Sequence, residues 1–513
     1  MPKSPNILFI TSDQQRPDLV GCFGRVPVQT PNLDRLCAEG TAFMRAYVAC
    51  PLCTPSRASM LTGQYPSRHG AWSIGTNTPP NALSLPEQLS RDAGYRTAII
   101  GKSHLQSNGR PENLEALPQS QDWEFFKKWN GPWYGFEHAR IHVGHGDEPH
   151  AYCMHYGLFL HENGVPPEPP YFADPTKCHT YKHVGRWALP ERYHTSTWVA
   201  DETISYLNEH EKNHAEKPFY LFVNFPDPHG PFIVPEPWDQ MYADTPLQPP
   251  LRLPDEKARN GTTLYAATVE QRTEKLGWHQ HMNLPCQESF GIETDPARTA
   301  YEEQRWRIYM GMQSLVDKNV GRILDALAAN GQDRDTLIVY TSDHGDYMGD
   351  HWLWFKGGSH YDAGVRVPCI MRWPGHIPAG VRSDSLVSLV DLPATFMSAA
   401  GLKPHPLMQG VDQLATFHRP DEPSRRGLLV EQRVEQGLSV NSWITDRYRL
   451  SVHSIHAENR DEFELYDFKT DPNEMENLAL RPEWQGLVTT LMAEMIRHRE
   501  SISGPWFERT TFA

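Results

Sequence analysis

Four short apolar runs, each closing on polar residues, constrain this chain most. Asn6-Ile-Leu-Phe-Ile-Thr-Ser-Asp13 and Leu337-Ile-Val-Tyr-Thr-Ser-Asp-His344 share the ending Thr-Ser-Asp, and Thr97-Ala-Ile-Ile-Gly-Lys102 and Phe219-Tyr-Leu-Phe-Val-Asn-Phe225 follow the same plan. Runs this short, without polar alternation, suit strands covered on both faces of a largely parallel sheet. Helical periodicity lies between them: Val316, Val320, Ile323, Leu324 and Leu327 form one stripe, and Asn330-Gly331 supplies the stop. Helix alternating with strand predicts a doubly wound α/β domain. Ligands in such domains gather beyond the carboxyl ends of the strands, where the polar clusters fall.

The rhythm breaks at residues 105–195, rich in Trp, His, Pro and Gly, and at 226–296, rich in Pro; both are expected as excursions over the strand ends. Later the pattern changes to short alternating runs, Arg426-Gly-Leu-Leu-Val-Glu431, Ser439-Val-Asn-Ser-Trp-Ile-Thr445 and Tyr448-Arg-Leu-Ser-Val-His453, with helical periodicity at about 482–500. The 513 residues therefore divide into a large α/β domain, 1–402, and a smaller α+β domain with an antiparallel sheet and a tail, 403–513.

Net charge is −15 and the pI is near 5.9. No Lys/Arg run stands out, so no nucleic-acid partner is expected. An anionic ligand must be met by local positive groups against an unfavourable overall field. Only four strongly apolar residues, Ile7 to Ile10, follow the N-terminal segment, too few for a signal-peptide core or a membrane span. A cytoplasmic protein with no membrane partner is the expectation. The eight cysteines are scattered, which fits mostly reduced thiols.

Chemistry concentrates first at Cys50-Pro-Leu-Cys53-Thr-Pro-Ser-Arg57-Ala-Ser-Met-Leu-Thr-Gly63. As Cys-x-x-Cys, Cys50 and Cys53 suggest a redox or zinc pair, but no second closely spaced cysteine pair completes a zinc site. The stretch Cys53 to Arg57 also reads as Cys-x-Pro-x-Arg, and about 0.06 chance matches to Cys-x-Pro-x-(Lys or Arg) are expected from composition. Pro55 suits the first turn of a helix, which puts Cys53 at or near the N-cap. Exposed N–H groups and the helix dipole there favour an anion, with Arg57 one turn further on.

Asp13, Gln14, Asp343 and His344 close the twin runs. Either aspartate alone reads equally as a loop or helix cap; the paired endings favour a shared metal site. A set dominated by oxygen suits a hard divalent cation, Ca²⁺ first, with Mg²⁺ or Mn²⁺ behind. Arg57, Lys102 and Lys356 could surround a tetrahedral anion. A lone Lys after a strand is ordinarily solvated, but Lys102 follows Gly101 and precedes His104, and Lys356 closes Trp352-Leu-Trp-Phe-Lys356. His229 lies in a stiff loop, Pro226-Asp-Pro-His-Gly-Pro231.

With these residues in view, the sequence resembles the formylglycine-dependent (type I) sulfatases of the alkaline phosphatase superfamily, near bacterial arylsulfatases, choline sulfatases and phosphonate monoester hydrolases. The resemblance runs through Asp13, Thr30-Pro-Asn-Leu-Asp-Arg-Leu36, Cys53 to Arg57, Leu61-Thr-Gly63 and Gly101-Lys-Ser-His104. It continues through Asp227-Pro-His-Gly-Pro231, Ser342-Asp-His-Gly-Asp346, Lys356 and Glu464-Leu-Tyr-Asp-Phe-Lys-Thr-Asp471, in family order. It implies an alkaline-phosphatase-like fold and a Cys53 oxidised to formylglycine by a maturation enzyme. The metal would then be held by Asp13, Gln14, Asp343, His344 and the oxygen at position 53. Many sulfatases carry two acids at the first position, where this chain has Gln14, one negative charge fewer.

The resemblance also implies a mechanism. One hydroxyl of the hydrated aldehyde attacks the sulfur of a small aryl or alkyl sulfate monoester, Asp343 taking its proton. Arg57, Lys102 and Lys356 stabilise charge on the transferring group. His229, with Lys356, protonates the leaving alcohol, and His104 helps deprotonate the second hydroxyl, so that the aldehyde re-forms from the covalent sulfo-enzyme and expels sulfate.

Two other functions compete: a phosphonate monoester or phosphodiester hydrolase with the same nucleophile, and a non-catalytic binding protein with an unmodified Cys53. The pair Lys102 and His104 resembles the sulfatase pattern more than the phosphonate branch. Trp123, Phe125, Phe126, Trp129, Trp133, Tyr134 and Phe136 could hold an aryl or quaternary ammonium group, though packing of the excursion is their expected role. Irregular spacing assigns surface or packing roles to His138, His142, His145, His150 and His155. The tail residues Trp506, Phe507 and Phe512 suggest a homo-oligomer in which they brace a neighbouring subunit.

Overall fold

The structure is a computed structural model that describes residues 4–145, 152–165, 184–269, 296–418, 424–434 and 437–503. Its strands are β1 (Asn6–Ser12), β2 (Thr41–Tyr47), β3 (Arg96–Lys102), β4 (His138–His142), β5 (Val184–Arg186), β6 (Phe219–Asn224), β7 (Phe232–Val234) and β8 (Thr336–Ser342). They continue as β9 (Arg366–Val367), β10 (Cys369–Arg372), β11 (Val381–Ser388), β12 (Gly427–Val434), β13 (Leu438–Thr445), β14 (Tyr448–Ile455) and β15 (Arg460–Asp467).

The central sheet runs β11-β2-β10-β8-β1-β6-β3-β4, with β9 added beside β2. Only β10 and β9 run antiparallel to their neighbours, so the sheet is largely parallel, as the apolar runs predict. Strand β1 is buried throughout and divides its side chains between two faces. Ile7 and Phe9 pack with Tyr220, Phe222, Leu337 and Val339, and Phe9 stacks on Phe222 at 4.5 Å. Leu8 and Ile10 pack on the other side with Leu221, Val223, Ile338 and the stripe Val316, Val320, Ile323, Leu324 and Leu327 of the helix Pro296–Ala329. Burial on both faces is why these runs show no polar alternation.

Register decides where the chemistry falls. Strands β1 and β8 pair in parallel from Asn6 opposite Thr336 to Ser12 opposite Ser342, which brings the twin Thr-Ser-Asp endings side by side. Strand β6 lies on the other side of β1, with Thr11 opposite Asn224, and β3 follows with Gly101 opposite Asn224. At Gly101, with φ +98°, an added Cβ would stand 2.0 Å from the Asn224 carbonyl oxygen, so only glycine lets β3 close up here.

A second, antiparallel sheet runs β12-β13-β14-β15. The helix Gln485–Ser503 covers it through Val488, Leu491 and Met495 against Trp443, Leu450, Val452 and Leu465. Four strands escape a search for apolar runs. Strand β2 carries Arg45 mid-strand, the first half of β11 is exposed and polar, β15 holds four acidic residues, and β4 is a five-residue edge strand inside the 105–195 stretch.

Cys22 and Cys37 are bonded to each other, a pair the spacing of the cysteines does not single out. Cys50, Cys53, Cys153 and Cys369 are free and buried. Among the described residues, no helix is long and apolar enough to cross a membrane. Cys178, Cys286, His150 and the tail with Trp506, Phe507 and Phe512 lie outside the described residues.

Candidate active site

The ends of β1, β3 and β8 converge with one helix end, Lys102 being the last residue of β3. Asp13 follows β1, and Asp343 and His344 follow β8. Cys53 opens the helix Cys53–Thr62, with Leu52 at its N-cap in extended conformation and no side-chain cap. Pro55 sits in its first turn, where its missing N–H leaves no gap, and Gly63 closes it at φ +68°. All ten helix residues are buried, so its uncapped N-terminus faces the protein interior and not bulk water.

Cys53 Sγ lies 3.0 Å from Lys356 Nζ, 3.2 Å from His344 Nε2, and 3.9 Å from both Lys102 Nζ and Asp13 Oδ1. Burial raises the thiol's pKa, but Lys102, Lys356, His344 and His104 together bring it well below the ordinary value. Cys50, only three residues away, has no such company, and burial pushes its thiol up. The structure thus separates the two members of the Cys-x-x-Cys.

Asp13, Cys53, Asp343 and His344 bring one ligand atom each to within 4.8 Å of one another, all buried. His344 Nδ1 faces the Gly345 carbonyl at 2.9 Å, which fixes the proton on Nδ1 and leaves the Nε2 lone pair for the cluster. Gln14, in left-handed backbone at φ +63°, donates from Nε2 to Asp346 Oδ2 at 2.6 Å. Its Oε1 is buried and has no hydrogen-bond partner. The Gln14 backbone N–H donates to Asp343 Oδ1 at 3.1 Å, and an orphaned amide oxygen on a residue so placed next to the cluster is what a divalent cation would satisfy.

The cations divide into two roles. Four of the five Arg57 N–H groups are engaged: Nε donates to Asp343 Oδ2 at 2.9 Å, one terminal nitrogen to the Lys102 carbonyl and Asn224 Oδ1, both at 3.0 Å, and the other to Asp13 Oδ2 at 3.4 Å. It braces the two carboxylates, whereas its spacing alone suggests a place beside the anion. Lys102 pairs closely with Asp13 Oδ2, and Lys356 Nζ lies 2.7 Å from His229 Nε2. Burial would raise the Asp13 carboxyl, as would Cys53, but Lys102, His229 and Arg57 hold it below the usual carboxylate range. His104, at φ +50°, is buried and its ring lies against Cys53, where it helps lower the thiol.

The structure therefore brings together Asp13, Gln14, Cys53, Arg57, Lys102, His104, His229, Asp343, His344 and Lys356. It adds three residues that spacing misses: Asn224, which holds Arg57; Asp346, which orients Gln14; and His145. Because β4 pairs with β3 in parallel, with Lys102 opposite His142, the chain leaving β4 delivers His145 to the same sheet end. The signal was its position just beyond a strand, hidden because β4 itself is inconspicuous. Three other histidines of that stretch pack: His138 against Tyr206, His142 against Tyr156 and Trp198, and His155 between the Ile141 amide and the Trp129 carbonyl. Most of the aromatic cluster also packs, with Phe126 and Phe136 in the core and Trp133 Nε1 donating to Ser103 Oγ at 2.8 Å, whereas Phe125 is exposed.

The sulfatase family profile matches residues 5–402, and a profile for the C-terminal part of N-sulphoglucosamine sulphohydrolase matches residues 349–501. A protein of Escherichia coli K12 named an uncharacterized sulfatase is 29% identical over 489 residues, covering 93% of this chain and 83% of its own. An arylsulfatase of Clostridium perfringens strain 13 is 27% identical over 518 residues, 97% of this chain and 94% of its own. Among solved structures, a phosphonate monoester hydrolase of Silicibacter pomeroyi shares the fold, with a TM-score of 0.75 at 22% identity over 97% of this chain and 95% of that one.

Proposed function

The chain belongs to the sulfatase family and is a sulfuric ester hydrolase; from that premise we propose that it hydrolyses aryl or small alkyl sulfate monoesters through formylglycine made from Cys53. The observation that carries this reading is the convergence on Cys53 Sγ of two lysines, an imidazole and a carboxylate at an uncapped helix N-terminus. That arrangement supplies local positive charge to a chain of net charge −15.

Residue 53 as hydrated formylglycine would supply the nucleophilic hydroxyl and a second one to expel sulfate. Asp13, Asp343, His344, Gln14 Oε1 and that hydroxyl would hold a divalent cation that acidifies it. Oxygen donors outnumber the one imidazole nitrogen, which supports Ca²⁺ first and Mn²⁺ or Mg²⁺ second. Lys102 and Lys356 approach residue 53 and offset charge on the transferring group. Arg57 keeps Asp13 and Asp343 in place, so its part is positional. The proximity of His229 Nδ1 to the Gly230 carbonyl, 2.5 Å, leaves Nε2 facing Lys356 Nζ; this pair holds a shared proton for the departing alcohol. His104, whose ring lies against residue 53, is the base for the second hydroxyl.

Parallel assays with 4-nitrophenyl sulfate and a 4-nitrophenyl phosphonate monoester test the reading. A higher kcat/KM for the sulfate supports it; a higher value for the phosphonate reassigns the centre to phosphonate monoester hydrolysis. Orientation of Gln14 gives a second test. Asp346→Ala releases the Gln14 amide, and the affinity for the divalent cation is expected to fall about 10–100-fold, as for other supports of metal ligands. Titration calorimetry on metal-depleted protein measures it, and an unchanged affinity would remove Gln14 from the ligand set.

A formylglycine-generating enzyme is the maturation partner this proposal requires. A cytoplasmic location and a homo-oligomer braced by the C-terminal tail remain part of the same proposal.

A further inference from the structure

His145 is buried beside Cys53's two lysines but has no place in the mechanism above. Its Nε2 lies 2.7 Å from Lys102 Nζ, and its ring stacks on His229 with centroids 3.8 Å apart and planes 13° from parallel. His229 in turn meets Lys356 Nζ, and Lys356 meets Cys53 Sγ. Lys102, His145, His229 and Lys356 thus form a belt that starts and ends at the nucleophile, one contact of which is a ring stack.

The contacts set the protonation pattern. An ammonium has only donors, so His145 Nε2 must accept from Lys102, and the ring proton sits on Nδ1. Lys102 Nζ is then held between Asp13 Oδ2 and His145 Nε2, which leaves it one N–H to aim at residue 53. Without His145 the ammonium keeps the Asp13 carboxylate and the longer 3.9 Å contact with residue 53, and loses the partner that fixes its rotation about its stem. The stack has a separate effect: it fixes the plane of His229, and with it the line from Nε2 to Lys356 Nζ.

We infer that His145 is a positioning residue of the hydrolytic centre, which holds Lys102 on the transferring group through Nε2 and His229 on the leaving group through its ring. The inference rests on the sulfate ester reading, yet its two contacts make separate, distinguishable demands on a variant set. His145→Phe keeps a ring for His229 and loses the acceptor for Lys102. His145→Gln keeps an acceptor and loses the ring. His145→Ala loses both.

The test measures kcat and KM for aryl sulfates with leaving groups of different acidity, together with the dissociation constant of inorganic sulfate, for the full-length wild type and the three variants. Loss of the Lys102 contact is expected to weaken sulfate binding and lower kcat about tenfold in His145→Phe, evenly across leaving groups, the size of one charge-assisted hydrogen bond. Loss of the stack is expected to make kcat fall more steeply for poorer leaving groups in His145→Gln, with sulfate affinity kept. His145→Ala should show both defects. The inference is overturned if all three variants match the wild type within about twofold, or if all three fall equally at every leaving group, as a merely structural residue would make them. A wild type that binds sulfate but cleaves no sulfate ester removes the parent reading, and the sulfate constants of the variants still decide the Lys102 contact.

Discussion

Cys53→Ala is expected to abolish turnover, with kcat/KM for sulfate esters falling about 10⁴-fold or more, the scale seen when a covalent nucleophile is removed. The reason is geometric. Lys102, Lys356, His344 and Asp13 all reach the Cys53 side chain, and alanine leaves them facing a gap with no group that can attack sulfur. Only the oriented cations remain, and they bind the ester without cleaving it. Cys53→Ser should retain at most one turnover per chain. A serine hydroxyl can attack, but it leaves a sulfate ester with no second hydroxyl to expel it, and water must then approach an anionic, crowded centre. Pre-steady-state release of 4-nitrophenol measures this, and steady multiple turnover by the serine variant would contradict the aldehyde-hydrate scheme.

Asp13→Asn is the second large effect, and it acts on metal, rate and stability together. The carboxylate meets Lys102 and Arg57 as ion pairs, approaches His344 within 3.4 Å, and contributes to the four-residue cluster. An amide keeps the shape and removes the charge. Arg57, Lys102 and Lys356 are all buried, so the variant carries an uncompensated cation in the interior. Removing one partner of a buried pair costs about 3–5 kcal/mol, which lowers the midpoint of urea unfolding. Bound divalent metal, counted by elemental analysis, is expected to drop from near one per chain to a small fraction. Activity should fall about 10³-fold or more, since the fixed positive charge that acidifies the nucleophile goes with it. A variant that keeps its metal and its activity would move the metal site away from the ends of β1 and β8.

The parts of this centre that are legible in the sequence are those written by the sheet. Two runs with the same Thr-Ser-Asp ending become neighbours because β1 and β8 pair in register, and a Cys-x-Pro-x-Arg opens a helix because proline fits its first turn. What stays hidden is set by partners. Spacing shows Arg57 only as a cation one turn past Cys53; that it also ties Asp343, Asp13, Asn224 and the Lys102 carbonyl together is set by partners distant in sequence. Gln14 looks like a lost acid until Asp346 is found turning its amide so that the oxygen is left over. His145 is one of 25 histidines, and only the parallel pairing of β4 with β3 brings it to Lys102. Likewise the charged strand β15 is a strand only because β14 pairs along its whole length.

The central claim concerns the chemical state of one side chain, and mass spectrometry of the tryptic peptide Ala46–Arg57 from protein made with its maturation enzyme tests it most directly. Cys50, buried and without nearby cations, serves as the internal control. The peptide is expected to be lighter by about 18 Da at residue 53, the change from thiol to aldehyde, with Cys50 intact. An unmodified thiol at residue 53 in fully active protein would contradict the account.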